Sequence, residues 1–176
     1  MLVYLLLSAL FVNGVHGYLL WSQRHERKWS ISVHAARDRQ TYLLYLFCHI
    51  FGGLFFLLFA IHLFLVLHNI KWLFALALLG IIFEYIQAVL PGKGATEKAH
   101  AIMAYGMFCT YLIVVLLSEI VLPMNTLFKI ITAPFILAVF VAGYIAYKNR
   151  NKMYLAQMIA IMSFCVAMFF VAKGSK

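Results

Sequence analysis

Six long apolar segments, separated by short polar clusters, constrain the fold of this chain more than any other feature of its sequence. Apolar residues make up 66% of the chain and charged residues 11%, whereas a soluble domain is about half apolar and about a quarter charged. A bilayer core about 30 Å thick requires roughly 20 apolar residues per helix. The sequence therefore predicts an all-α fold, a polytopic membrane helical bundle that forms one domain over residues 1–176. Its six transmembrane helices are expected at about 2–21, 41–67, 71–90, 101–122, 127–147 and 153–172.

The basic residues alternate between the two sides of the predicted bundle. Loops one, three and five hold ten of them, at Arg24, Arg27, Lys28, Arg37, Arg39, Lys93, Lys98, Lys148, Arg150 and Lys152. The other side holds four, at Lys71, Lys129, Lys173 and Lys176. Because cytoplasmic loops are enriched in Lys and Arg, the sequence predicts that both termini lie outside, in an integral protein of the plasma (inner) membrane.

Two other interpretations of the charge and of the N-terminus are less consistent with the sequence. The net charge of +9 is divided among several loops rather than collected on one face, so nucleic-acid binding is not expected. The first apolar segment lacks the positive residues that precede the core of a signal peptide. We therefore expect this segment to be retained as the first span.

Polar side chains inside the predicted spans are the main candidates for function, because ionisable groups are costly in hydrocarbon. Helical periodicity places them on the same faces as small residues such as Gly52, Gly80 and Ala88, which are typical of contacts between membrane helices. Their depth divides them into two groups. The inner polar cluster, in the cytoplasmic half, contains Asn13, His16, His49, Glu84, Gln87 and His100. The outer polar set contains His62 and Glu119.

The inner polar cluster has two interpretations. It is a ligand or proton site, or it is a set of hydrogen bonds that fasten the helices together, worth about 0.5–2 kcal/mol. In both cases we expect His49 and Glu84 to face each other or a shared cavity rather than lipid. Glu119 is more typical of an end residue whose carboxyl reaches towards the membrane surface.

Cofactor and enzyme chemistry receive little support from the motifs. His49 and His62 are candidate ligands of haem b, but on an ideal helix they would point about 140° apart, unless the chain bends at Gly52 and Gly53. No metal site is predicted, because the spacings of zinc and HExxH motifs are absent. No catalytic residue is predicted, and the three cysteines are expected to be buried free thiols.

Two segments carry a family resemblance. One runs from Ser30 and Ser32 through a basic stretch into the aromatic span at residues 42–67. The other runs from Pro91 through a polar turn to His100 at the start of the fourth span. Together with six spans, this pattern resembles the Frag/DRAM/Sfk-type superfamily of six-span membrane proteins and its bacterial relatives of unknown function. The resemblance implies a lipid-linked or membrane-organising role without an established catalytic residue.

Three functions are therefore open at the level of sequence. The first is a small membrane protein that binds or handles a lipid or another amphiphile through the inner polar cluster. The second is a non-catalytic subunit of a larger membrane complex, or a homo-oligomer. The third is a small b-type cytochrome for electron transfer. The expected partners are membrane lipids and other membrane subunits.

Overall fold

The computed structural model describes residues 1–22, 31–90, 94–149 and 153–175. Within these ranges the ordered elements are helices and no strand is present. Six of the helices are long and apolar enough to cross a membrane. The prediction of an all-α chain with six candidate membrane spans is confirmed, and the fold is that of an integral membrane protein.

The helices follow the predicted spans closely. Their bounds are α1 Leu2–Ser22, α2 Ile31–Ala35, α3 Arg39–Ala60, α4 Lys71–Val89, α5 Glu97–Val121, α6 Thr126–Lys148 and α7 Met153–Gly174. Helix α5 begins at Glu97 rather than at about 101, because its first turn is polar and extends beyond the apolar part of the span. The short helix α2 lies in the first loop and was not predicted.

Helix α3 does not end where its α-helical hydrogen bonds end. It continues as a π-helix over Ile61–Leu67, a form that is rare and is usually confined to a single turn. The turn that follows contains Asn69, whose φ of 52° is in the left-handed region that asparagine tolerates better than most residues. The direction of His62, which lies inside the π-helix, therefore does not follow from ideal helical periodicity.

Short polar side chains fix two of the helix starts. Asp38 caps α3 and accepts hydrogen bonds from the backbone N–H of Thr41 at 2.8 Å and from its hydroxyl at 2.5 Å. These bonds hold the pKa of Asp38 below its usual value, so the cap is intact above the usual carboxyl range and weakens as the pH falls through it. Asn125 caps α6 in the same way, through the N–H of Leu127.

Five helices form a closed ring around the centre of the bundle. Helix α3 packs between α1 and α4, α5 packs on α4, and α7 closes the ring by packing against both α5 and α1. Helix α6 lies outside the ring, mainly against α7. The ring places side chains from α1, α3, α4, α5 and α7 within reach of one another.

Glycines allow close approach at several of these interfaces. A Cβ at Gly80 would lie 2.5 Å from the ring of Tyr111, and one at Gly53 would lie 2.5 Å from the ring of Tyr85. The expectation that small residues face neighbouring helices is confirmed at these positions. Gly17 differs, because nothing among the described residues lies within 4 Å of its Cβ position.

Gly80→Ala is expected to destabilise the fold by about 1–3 kcal/mol, the usual cost of overpacking a tight core. The added methyl would displace Tyr111, whose ring also packs against Phe56 and Phe164. Gly14→Ala is the matched control, since its Cβ would meet no described atom within 4 Å. Thermal unfolding of both variants in detergent micelles tests the expectation, and equal stability of the two would contradict it.

Candidate functional site

The inner polar cluster lies between two apolar layers of the bundle. Along α1, α3 and α4, the layer on one side contains Leu5, Phe56 and Ile81, and the layer on the other side contains residues of a second cluster, among them Leu19, Tyr45 and Ala88. The polar residues occupy the intervening helical turns. A polar site at this level is shielded from both ends of the bundle.

Four side chains from four helices form one chain of hydrogen bonds. Nε2 of His16 on α1 lies 3.1 Å from Nε2 of His49 on α3. Nδ1 of His49 lies 2.9 Å from Oε1 of Glu84 on α4. The hydroxyl of Tyr111 on α5 donates to Oε2 of Glu84 at 2.7 Å. The expectation that His49 and Glu84 face each other is confirmed, and we call these four residues the polar relay.

The partners of each atom restrict where the protons of the polar relay lie. With Glu84 ionised, Nδ1 of His49 must carry a hydrogen that it donates to the carboxylate. Nε2 of His49 then accepts, so Nε2 of His16 carries the hydrogen between the two rings. This leaves Nδ1 of His16 as an acceptor, and it is buried with no hydrogen-bond partner among the described residues.

Gln87 and His100 form a separate group at the neighbouring turn. The amide of Gln87 donates to the hydroxyl of Tyr45 at 3.2 Å. Nδ1 of His100 lies 2.8 Å from the backbone carbonyls of both Gln87 and Leu90, so it donates to them. His100 therefore joins the start of α5 to the end of α4 and does not touch the polar relay directly.

Asn13 faces α7 rather than the histidines. Its amide donates to the carbonyl of Ala9 at 2.9 Å and lies 3.9 Å from the sulfur of Cys165. Its Oδ1 is buried and has no hydrogen-bond partner in the described part of the chain. Asn13 thus lies beside the polar relay without being hydrogen-bonded to it.

The outer polar set is not a cluster. Glu119 interacts with Thr132 and Lys129, both on α6, while His62 lies in the π-helix at the end of α3. In the parts of the chain that the structure describes, no hydrogen bond or ion pair connects the two residues. These two positions do not support a shared site.

The geometry does not fit haem at His49 and His62. Both ring nitrogens of His49 already face protein atoms, one on His16 and one on Glu84, so neither is free for an iron. His62 is partly exposed and lies on the π-helix. The described residues also contain no group of three or more metal-binding side chains placed to hold an ion.

A cavity of about 80 Å³ adjoins the polar relay. Its polar wall is formed by His49, Glu84 and Tyr111, together with Ser8. The remaining wall is largely apolar and comes mainly from α5, α6 and α7, with Phe108, Leu112, Val139, Ala160, Ile161 and Phe164 among its residues. A few polar groups that converge in an apolar cavity are the usual composition of a small-molecule site.

Sequence reasoning missed Tyr111 and Tyr154. Tyr111 donates the second hydrogen bond to Glu84, and the hydroxyl of Tyr154 donates to the backbone carbonyl of His16 at 2.6 Å. Gly80 indicated a close helix contact on α4, but it did not indicate which residue of the next helix makes that contact. Nothing comparable marked Tyr154.

Comparison with family models, with curated proteins and with solved structures finds no match for this chain. The resemblance to the Frag/DRAM/Sfk-type superfamily therefore stays a prediction. The functional inference depends on the site itself.

Proposed function

We propose that this protein binds an amphiphile within the membrane, with the polar end of the molecule against Glu84. The observation that carries the proposal is a buried carboxyl group that lines an apolar cavity. Such a cavity accommodates an apolar group, and the carboxyl supplies direction and selectivity. The proposed function is binding or handling of an amphiphile rather than catalysis.

The hydrogen-bonding capacity of Glu84 favours a ligand that donates. An ionised carboxylate offers about four lone-pair positions to donors, and the protein fills one on each oxygen, from His49 and from Tyr111. The remaining positions are available to an amine or an alcohol. A carboxylate or phosphate head group would instead place two negative charges together in a medium of low dielectric.

The size of the cavity limits how much of the ligand it holds. A volume of about 80 Å³ admits a small polar head and a few carbons, since one water needs roughly 10–15 Å³ by the same kind of measure. The rest of an acyl or alkyl chain would extend between helices towards the lipid. The binding site thus selects the head group more strongly than the length of the chain.

Butylamine and butan-1-ol are suitable probes, and butyrate is the negative control. We expect the two donors to stabilise the protein in detergent micelles, by about 2.7 kcal/mol at a hundredfold excess over Kd. Ala160→Leu should remove this stabilisation, because Ala160 lines the cavity and the larger side chain fills it. Ala133→Leu, on an exposed position of α6, is the matched control. Equal stabilisation of both variants would argue against the proposed site.

The proposed orientation places the polar relay in the cytoplasmic half of the plasma membrane, with both termini outside, because ten basic residues lie on one side and four on the other. Single cysteines test it in a background in which Cys48, Cys109 and Cys165 are replaced by Ala. A cysteine at Lys173 should react with a membrane-impermeant maleimide in intact cells, and one at Lys98 should react only after permeabilisation. The reverse pattern would invert the orientation.

A subunit role is a second candidate, favoured by one face of α1. Gly14 and Gly17 both present positions at which a Cβ would meet no described atom within 4 Å, and small residues permit close packing of a partner helix. The size of the purified particle tests this candidate. A particle larger than one 20.1 kDa chain with its micelle would support it.

A further inference from the structure

The polar relay can hold its protons in two complete arrangements. In the first, Glu84 is ionised and both histidines donate towards it, so Nδ1 of His16 is a bare acceptor. In the second, Glu84 is neutral and donates to His49, His49 donates to His16, and Nδ1 of His16 carries a hydrogen. The distances of 3.1 Å between the two rings and 2.9 Å from His49 to Glu84 fit both arrangements equally well, and Tyr111 donates to Glu84 in each. The two arrangements differ by one proton.

In the part of the chain that the structure describes, no Lys or Arg side chain interacts with Glu84. The titratable groups that act on it are His49 and Tyr45 on α3, Tyr111 on α5, Cys165 on α7 and Tyr85 on its own helix. His16 on α1 acts on it through His49. None of these is Lys or Arg. Because a buried charge requires compensation, ionised Glu84 needs either a protonated histidine or a cation in the cavity.

We propose that the polar relay is a one-proton switch, in which Glu84 exchanges a proton for the cationic head group of a bound amine. The proton half of this inference stands on the relay alone, and the amine half rests on the proposed amphiphile site. The negative charge of Glu84 would therefore be compensated either by the proton on the relay or by the amine cation in the cavity, but not by both at once. Alkylammonium ions bind when the relay has lost its proton, and they leave when the relay regains it.

The proton transfer balances at each atom. A proton adds to Nδ1 of His16, and the hydrogen on Nε2 of His16 passes to Nε2 of His49. The hydrogen on Nδ1 of His49 then passes to Oε1 of Glu84, which becomes neutral. Both rings end neutral with their hydrogens on the opposite nitrogens. After one transfer, Nδ1 of His16 already carries a hydrogen and cannot accept a second proton. The relay therefore takes up one proton and does not conduct protons continuously.

The entry point of the proton is the end of the relay at His16. Its Nδ1 is buried without a partner among the described residues, and the ring is 2% exposed. Between this ring and the end of the bundle lies an apolar layer that includes Leu19 and Ile31. Ile31 is held by a hydrogen bond from its N–H to the side chain of Gln157 at 3.0 Å. A proton that enters from this end of the bundle therefore has to cross this layer to reach His16.

Spectroscopy on the unmodified protein tests the switch directly. Nitrogen NMR of ¹⁵N-histidine distinguishes the two tautomers of a neutral ring, and infrared difference spectra show the C=O band of a protonated carboxyl. As the pH of the folded protein is lowered, we expect His16 and His49 to exchange tautomers together at the pH where the carboxyl band appears. Glu84→Gln should remove the band, whereas Glu119→Gln should leave it intact.

Three outcomes of this titration would overturn the switch. One is tautomers that do not change, and another is a change in one ring without the other. The third is a carboxyl band that persists in Glu84→Gln and disappears in Glu119→Gln. Because all the wild-type measurements use folded, unmodified protein, poor folding of a variant does not prevent a decision.

Binding of butylamine at several pH values tests the exchange. This amine stays charged over the range, since an alkylammonium has a pKa near 10.4. In the pH range where Glu84 is protonated in the free protein, the affinity for butylamine should rise about tenfold per pH unit, because each bound cation displaces one proton. Bound butylamine should also suppress the carboxyl band. The affinity for butan-1-ol should show no such pH dependence. Binding of butylamine that is independent of pH would refute the exchange, whereas no binding of either probe would refute the amphiphile site while leaving the tautomer result to decide the switch.

Discussion

Glu84→Leu is expected to destabilise the folded protein by about 2–4 kcal/mol. The substitution leaves Nδ1 of His49 and the hydroxyl of Tyr111 buried without their shared acceptor. Each unsatisfied group costs about 1–3 kcal/mol, and the total lies in the lower part of the summed range because polar groups unfolded within a membrane also find partners. Glu84→Gln should cost less than about 1 kcal/mol, since the amide keeps the size and one acceptor.

Equilibrium unfolding in mixed micelles measures these differences. Glu119→Leu is the matched control, because Glu119 is also a carboxyl on a spanning helix but interacts with Thr132 and Lys129 away from the cavity. If Glu84→Leu were no more destabilising than Glu119→Leu, the polar relay would have little part in holding the helices together.

The second large effect is expected at His49. His49→Leu removes the central member of the polar relay and leaves Oε1 of Glu84 and Nε2 of His16 buried without their hydrogen-bond partners. We expect a loss of about 2–5 kcal/mol, since each unsatisfied buried group costs about 1–3 kcal/mol and a charged one more. The double variant His49→Leu/Glu84→Leu removes both partners of the hydrogen bond and should be less destabilised than the sum of the single variants, by about 0.5–3 kcal/mol. A double-mutant cycle measured by unfolding gives this coupling, and strict additivity would show that the two residues act independently.

The fold was predictable from the sequence because membrane thickness fixes the length of each apolar segment. Helix α4, at Lys71–Val89, lies within one residue of its predicted bounds at 71–90. The start of α5 at Glu97 was harder to place, since Glu97 and Lys98 are polar and hydropathy detects only the part of a helix that lies in hydrocarbon. Helix α2 is five residues long, too short for any periodicity to show.

The candidate site was predictable in part, because helical periodicity shows which side chains share a face but not which backbone groups they meet. Depth and periodicity place His16, His49 and Glu84 at one level and on inward faces, and the structure joins them. The periodicity of side chains gives no information about backbone hydrogen bonds. It therefore could not show that His100 would donate to the carbonyls of Gln87 and Leu90. The structure joins three of the six residues in the polar relay, and the hypothesis that all six serve one ligand or proton site stays a prediction.

Tyrosines were a further source of error. The chain has 10 tyrosines and 16 phenylalanines. A functional tyrosine in a span is therefore hard to distinguish from the other aromatic residues by sequence. The hydroxyl of Tyr111 matters only because Gly80 lets its ring lie directly against α4. This is a property of two helices together and is not visible in either segment alone.

The π-helix at the end of α3 has a consequence for sequences that share this fold. A π-turn accommodates one residue more than an α-helical turn of the same length, because its hydrogen bonds run from residue i to i+5. Deleting one residue between Ile61 and Leu67 would therefore let α3 finish as an ordinary α-helix, without moving α4. We expect orthologous chains to differ here by a single-residue gap in the middle of a hydrophobic segment, although sequence alignments usually place gaps in loops rather than inside spanning helices. Such a gap would also reorient the imidazole at His62 while leaving the one at His49 in place.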